Sequence, residues 1–145
     1  MKKVSAYTKS MNPQYMDELR EKIMDIIVMQ KKYKDSTYSA LQLAKDLETD
    51  SRYVSAVFSL KFHMNYKTFI NKYRIEESMG LLLDKRYDEM NVDDIGHTVG
   101  FATRQSFYNS FVALVGVTPR EYRVMNKKRK SLIKNYDCEA DERAD

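Results

Sequence analysis

Four residues in the segment VGFATRQSFYNSF, residues 99–111, carry side chains suited to flat, hydrogen-bonding edges: Arg104, Gln105, Tyr108 and Asn109. A guanidinium donates two parallel hydrogen bonds, which fits the O6/N7 edge of guanine. A carboxamide donates one and accepts one, which fits adenine. Positions 104, 105, 108 and 109 share one side of a 3.6-residue helix. Thr103 and Ser106, in the same stretch, are short donors suited to a phosphate oxygen. No general base or metal-ligand cluster stands in this segment, so the chemistry on offer is readout rather than catalysis.

Such a fan needs an anchored helix beneath it. Phe107, Phe111 and Leu114 fall three or four apart and are the expected anchors. Thr103 caps this helix, spanning about 103–115, and Gly116 stops it. A shorter helix precedes it, begun by Asn91 or Asp93, buried through Val92, Ile95 and Val99, and closed by Gly100 in a left-handed conformation. The same outline occurs earlier in the chain. Leu43-Ala44-x-x-Leu47, a bend at 48–50, then Val54 and Phe58 corresponds to Ile95-Gly96-x-x-Val99, a bend, then Phe107 and Phe111, at an offset of 52 to 53 residues. Each unit is a short helix, a tight turn and a second helix, the outline of a helix-turn-helix. The outer face of the first unit is Arg52, Tyr53, Ser55 and Ala56, on a helix of about 51–62 capped by Ser51 or Asp50.

The remaining elements follow from spacing and caps. Met16, Leu19, Ile23, Ile26, Ile27 and position 30 predict a helix from Tyr15 to Tyr33, and Asp35-Ser36-Thr37 a turn. A short helix runs from about Ser39 to Leu47. Asn65 caps a long helix from Tyr66 to about Lys85, interrupted in propensity by Gly80. Thr118 and Pro119 launch a last helix. The expected architecture is all-α: seven helices in two helix-turn-helix subdomains joined by a long linker helix. Its parts are a flexible arm (1–14), the first subdomain (15–65), the linker (66–85), the second subdomain (86–134) and an acidic, disordered tail (135–145).

Composition agrees. Only 4 Gly and 2 Pro in 145 residues argue against a strand-rich fold with its many turns. The net charge of +4 is mild, but its distribution is blocky. Residues 51–75 hold five cations (Arg52, Lys61, Lys67, Lys72, Arg74) and no acid, and residues 120–134 hold seven cations against Glu121 alone. Such blocks suggest a polyanion partner. The single cysteine, Cys138, excludes a disulfide framework within the chain and fits a reducing compartment. Met1-Lys2-Lys3 is followed by no apolar signal core, and no run approaches a membrane span. His63 and His97 stand far apart, and no metal or other cofactor is expected. Asp93-Asp94 reads as helix-dipole compensation.

The string Ile95…Val99-Gly100-Phe101…Ser106-Phe107…Phe111…Gly116-x-Thr118-Pro119-x-x-Tyr122-Arg123 resembles the DNA-binding domain of AraC/XylS-type bacterial transcription regulators. Leu43-Ala44, Phe58 and Phe69-Ile70…Arg74-Ile75…Leu81-Leu82 extend the resemblance over roughly Leu43 to Arg123, with the first helix fitting as well. The resemblance implies two recognition helices in successive major grooves, about one duplex turn (~34 Å) apart. The chain also departs from the family pattern. Ala56 and Asn109 stand where an Arg is common, and Ser59-Leu60 and Val112-Ala113 stand where Lys-Lys is common. His63 replaces the usual Gly, and it tolerates a left-handed backbone better than most residues.

The expectation is therefore a non-enzymatic, cytoplasmic regulator of transcription that binds double-stranded DNA sequence-specifically. Arg52, Tyr53, Ser55, Arg104, Gln105, Tyr108 and Asn109 would contact bases, with the second helix carrying more of the readout. Ser51, Lys61, Asn65, Lys67, Thr103, Ser106, Thr118 and Arg120 would contact phosphates, and the 127–130 basic run is a further candidate. RNA polymerase or another regulator is the expected protein partner, and the oligomeric state stays open. The rival is a degenerate helix-turn-helix that binds another regulator in place of DNA. No concave site with convergent polar groups favours an enzyme.

Overall fold

The computed structural model describes residues 12–128. Most of the expected arm, residues 129–130 of the basic run, and the acidic tail with Cys138 lie outside the described residues. Seven α-helices and no strand occur within them.

Capping side chains set most of the boundaries. Helix α1 spans Pro13–Ile23, with Asn12 Oδ1 accepting from the Gln14 amide at 2.9 Å and a proline at the first turn. It therefore starts two residues before the expected Tyr15. It widens into a π-helical segment, Met24–Met29, and stops short of Tyr33. Lys31 turns left-handed (φ 57°), and a 3-10 turn, Lys32–Lys34, buries Tyr33 against Tyr73 at 6.2 Å. Burial of that aromatic ring outweighs continuation of the helix, and residue 30 is exposed rather than on the inner stripe.

Helix α2 is Ala40–Asp46, capped by Ser39. Helix α3 is Ser51–Val57, capped by Asp50 and not Ser51, and it runs on as a π-helical segment, Phe58–Phe62. His63 ends it in the left-handed region (φ 57°, ψ 30°), as its place in the pattern requires. Helix α4, Tyr66–Leu83, begins where Asn65 Oδ1 accepts from the Thr68 amide at 2.9 Å. It ends before Lys85 because Asp84 caps a separate 3-10 turn, Lys85–Tyr87. Helix α5 is Val92–Thr98 with Asn91 as cap. Gly100, at φ 117°, turns the chain toward α6, Arg104–Val115, which Thr103 caps and Gly116 closes at φ 93°. Helix α7 occupies 119–128. Thr118 and Glu121 start it reciprocally: Thr118 Oγ1 accepts from the Glu121 amide (3.1 Å), and the Thr118 amide donates to Glu121 Oε2 (3.3 Å).

The chain divides into two compact units between Arg74 and Ile75, within α4. Each unit has its own core. Leu19, Ile23, Leu43, Val54, Val57, Phe58 and Phe69 belong to the first, and Ile75, Leu82, Ile95, Val99, Phe107 and Phe111 to the second. The repeat is compensated in volume. Ala44 and Val54 are both buried in the first unit. Their counterparts are Gly96 and Phe107, where a Cβ on residue 96 would stand 2.5 Å from the Phe107 ring. A larger residue on α6 thus requires a smaller one on α5.

Leu114 is not an anchor. It is 52% exposed, and Val115 packs on the core in its place, so the inner stripe of α6 follows positions 107, 111 and 115. Arg74 is not a surface cation. It is 8% exposed, and it donates from Nε to Tyr33 O (2.6 Å), from Nη2 to Asp35 O (3.1 Å) and from Nη1 to Asn71 Oδ1 (3.1 Å). Arg123 works similarly in the second unit, donating to the carbonyls of Met90, Tyr87 and Leu82. Tyr122 packs on Phe111, with ring centroids 5.5 Å apart.

Candidate nucleic-acid interface

On α6 the buried Phe107 and Phe111 face one way, and Arg104, Gln105, Ser106 and Asn109 are exposed. Thr103 Oγ1 accepts from the Ser106 amide at 3.1 Å, leaving its own hydroxyl proton to donate outward. Arg104 is placed by two neighbours. Its Nε donates to Asp93 Oδ1 at 3.0 Å, and its guanidinium lies 4.5 Å from the centre of the Tyr108 ring. The Tyr108 phenol, and after it the Asp93 carboxylate, hold Arg104 above the ordinary guanidinium value. Tyr108 in turn meets Phe107 edge-on at 5.9 Å. The side chain is therefore braced from core to surface.

The matching face of α3 is poorer. Asp50 caps the helix through the Arg52 amide (2.8 Å), and its two oxygens also take Arg52 Nε (3.2 Å) and Nη2 (3.1 Å). These bonds keep the Asp50 carboxyl below the usual range, with the Arg52 side chain the largest cause. Tyr53 is half-buried and meets Tyr15 edge-on at 5.6 Å. Ala56, expected on the outer face, is buried, because the first unit packs it into its own core. Ser51 and Ser55 remain exposed. Ser55 joins Ser59, His63, Asn65 and Tyr66 around an open cleft of about 400 Å³.

A family described as a helix-turn-helix domain matches residues 43–125, which runs from α2 in the first unit into α7 in the second. The chain belongs to that family, in its AraC-type branch. The melibiose operon regulatory protein of Escherichia coli K12 is 26% identical over 96 residues, 66% of this chain and 31% of that protein. An HTH-type transcriptional regulator of Bacillus subtilis, YtdP, is 27% identical over 82 residues, 57% of this chain and 10% of that protein. The chain thus spans about a third or less of the curated relatives it matches. Among solved structures, the C-terminal domain of the response regulator yesN from Fusobacterium nucleatum superposes with a TM-score of 0.61 at 28% identity. That match covers 73% of this chain and 98% of that one.

In this AraC-type domain the expected phosphate-facing groups occupy varied settings. Asn65 and Thr118 cap helices, Lys67 and Arg120 are exposed, and Lys61 reaches back to Asp17 Oδ1 at 2.7 Å. Sequence reasoning missed Asp50, Asp93 and Asp17 as partners of cations on or beside the recognition helices. Asp50 was detectable, two residues before Arg52 at a helix start. Asp93 is eleven residues from Arg104, and only the turn after α5 brings them together. Among the described residues no helix is long and apolar enough to cross a membrane, and no cluster of three metal-ligating side chains occurs.

Proposed function

We propose that the chain is a DNA-binding transcription regulator in which α6 supplies most of the base readout. The observation that carries this reading is the contrast between the recognition helices. Helix α6 presents Arg104, Gln105 and Asn109 as one exposed polar face with Tyr108 bracing it, whereas α3 turns Tyr53 inward and buries Ala56. Arg104 would read a guanine, and Gln105 and Asn109 adenines. Ser55 and Arg52 on α3 add smaller terms. Ser51, Lys61, Asn65, Lys67, Thr103, Ser106, Thr118 and Arg120 supply sequence-independent contacts to phosphates. For Lys61 this means exchanging Asp17 for a phosphate oxygen. RNA polymerase or a second regulator is the protein partner of this reading, and the cytoplasm its place. Membership of the family does not favour a module that has lost DNA and binds only another protein.

A mobility-shift titration against random duplex at about 50 mM and 200 mM salt tests the proposal. Neutralising several phosphates makes the logarithm of affinity fall linearly with the logarithm of salt concentration. Binding at micromolar protein in low salt with a steep decline supports the reading. No binding at low salt rejects it.

A further inference from the structure

We infer that Asp93, outside the recognition helix, is a positioning residue that presents Arg104 to a guanine and so sets the base preference of the second unit. The inference rests on the DNA-binding reading above and deepens it. An exposed arginine in water samples many rotamers, and reading a base edge requires ordering it at an entropic cost. Here two contacts order it beforehand. Asp93 Oδ1 takes Nε at 3.0 Å, and the Tyr108 ring supports the guanidinium at 4.5 Å. The carboxylate engages Arg104 at this one nitrogen. The terminal nitrogens, the fork that pairs with guanine O6 and N7, stay outside that bond. The Arg104 side chain is 62% exposed, so these two contacts bias its rotamers toward this pose rather than lock them.

Arg52 shows the contrary geometry. Asp50 grips it through both Nε and Nη2, at 3.2 and 3.1 Å, so the fork itself is turned to the protein's own carboxylate. Helix-dipole compensation accounts for an acid at position 93 but requires no contact with Arg104, so the hydrogen bond is a further feature of this side chain. An acid at a DNA-binding surface also carries a cost, since it repels phosphates. That repulsion gives the role a signature which mere structural support lacks.

The test compares the wild type with Asp93→Ala, Asp93→Asn and Arg104→Ala. Each is titrated with the duplex preferred by the wild type, with versions in which single G·C pairs become A·T, and with random duplex. Arg104→Ala is expected to lose roughly tenfold discrimination at one G·C pair. Asp93→Ala should lose most of that discrimination at the same pair, yet bind random duplex equally well or more tightly. Asp93→Asn should fall between, because its amide oxygen still accepts from Nε. Unchanged discrimination in Asp93→Ala overturns the inference and leaves the DNA-binding reading standing. So does a uniform loss of affinity for every duplex with discrimination intact. A wild type that prefers no sequence overturns both. Circular dichroism and thermal melts of each variant check that the helix content and stability of the domain are kept.

Discussion

The arginines of this chain differ by what surrounds them, and the proposed readout turns on that difference. Arg74 and Arg123 are internal ties that satisfy backbone carbonyls at turns. Burial lowers Arg74 below the ordinary guanidinium value, with Tyr66 and Asp35 opposing that effect. Arg74→Lys cannot reach three separate acceptors, and urea denaturation should show a loss of about 1–3 kcal/mol. Arg52 and Arg104 sit on matching helices, and only Arg104 has its fork outside an acid's grip. In selections from random duplexes, Arg104→Ala or Gln105→Ala should change the preferred bases. Arg52→Ala should mainly weaken binding to all sequences. A shift of preference in Arg52→Ala alone would refute this ranking. Types and helical phase gave away from sequence which side of α6 is exposed and polar. The acids that grip its cations stayed hidden, because a short polar contact across a turn leaves no periodic trace.

At the scale of the element, caps were the most readable feature. Asn65, Asn91, Thr103, Gly116 and Thr118 all lie at the helix ends that their types suggest. Helix α1 was misjudged at its end because the burial of Tyr33 is a tertiary effect, and local propensity does not report it. The stripe of α6 was misjudged at Leu114 because positions seven and eight after Phe107 both suit a helical pattern, and the packing selects the latter. The Gly96–Phe107 contact makes a sharp prediction. Gly96→Ala should cost about 1–3 kcal/mol through overpacking. In a Phe107→Val background the same change should cost measurably less, since that pair copies the residue types of Ala44 and Val54 in the first unit. Equal costs in the two backgrounds would refute the compensation. His63→Gly should gain stability, up to about 1 kcal/mol, by relieving the left-handed backbone at φ 57°.

Two units with separate cores, repeated at an offset of 52 to 53 residues, make up the described molecule. The repeat was visible in sequence because each unit must bury the same few positions to hold its second helix against its first. The charge blocks were more misleading. Arg74 is internal, and Arg52 and Lys61 already have acidic partners, so the 51–75 block is less open to a polyanion than its count implies. The first unit should also respond to acid. Hydrogen bonds from Tyr38 and then Gln42 lower Asp46, and those from the Thr37 hydroxyl and amide lower Asp35. A carboxyl depressed in the folded state stabilises the fold above its unfolded value. That contribution is lost as pH falls below the ordinary 3.8 and through the folded value. Thermal melts of Asp46→Asn should start lower at neutral pH and show a shallower decline on acidification than the wild type.

The most direct measurement is a selection of bound sequences from a pool of random duplexes at near-physiological salt, repeated with Arg104→Ala. One enriched sequence for the wild type, with preference lost at a single G·C pair in the variant, is the expected result. A pool that stays random with the wild type, although the protein is folded and bound to DNA, would contradict sequence-specific readout by this domain.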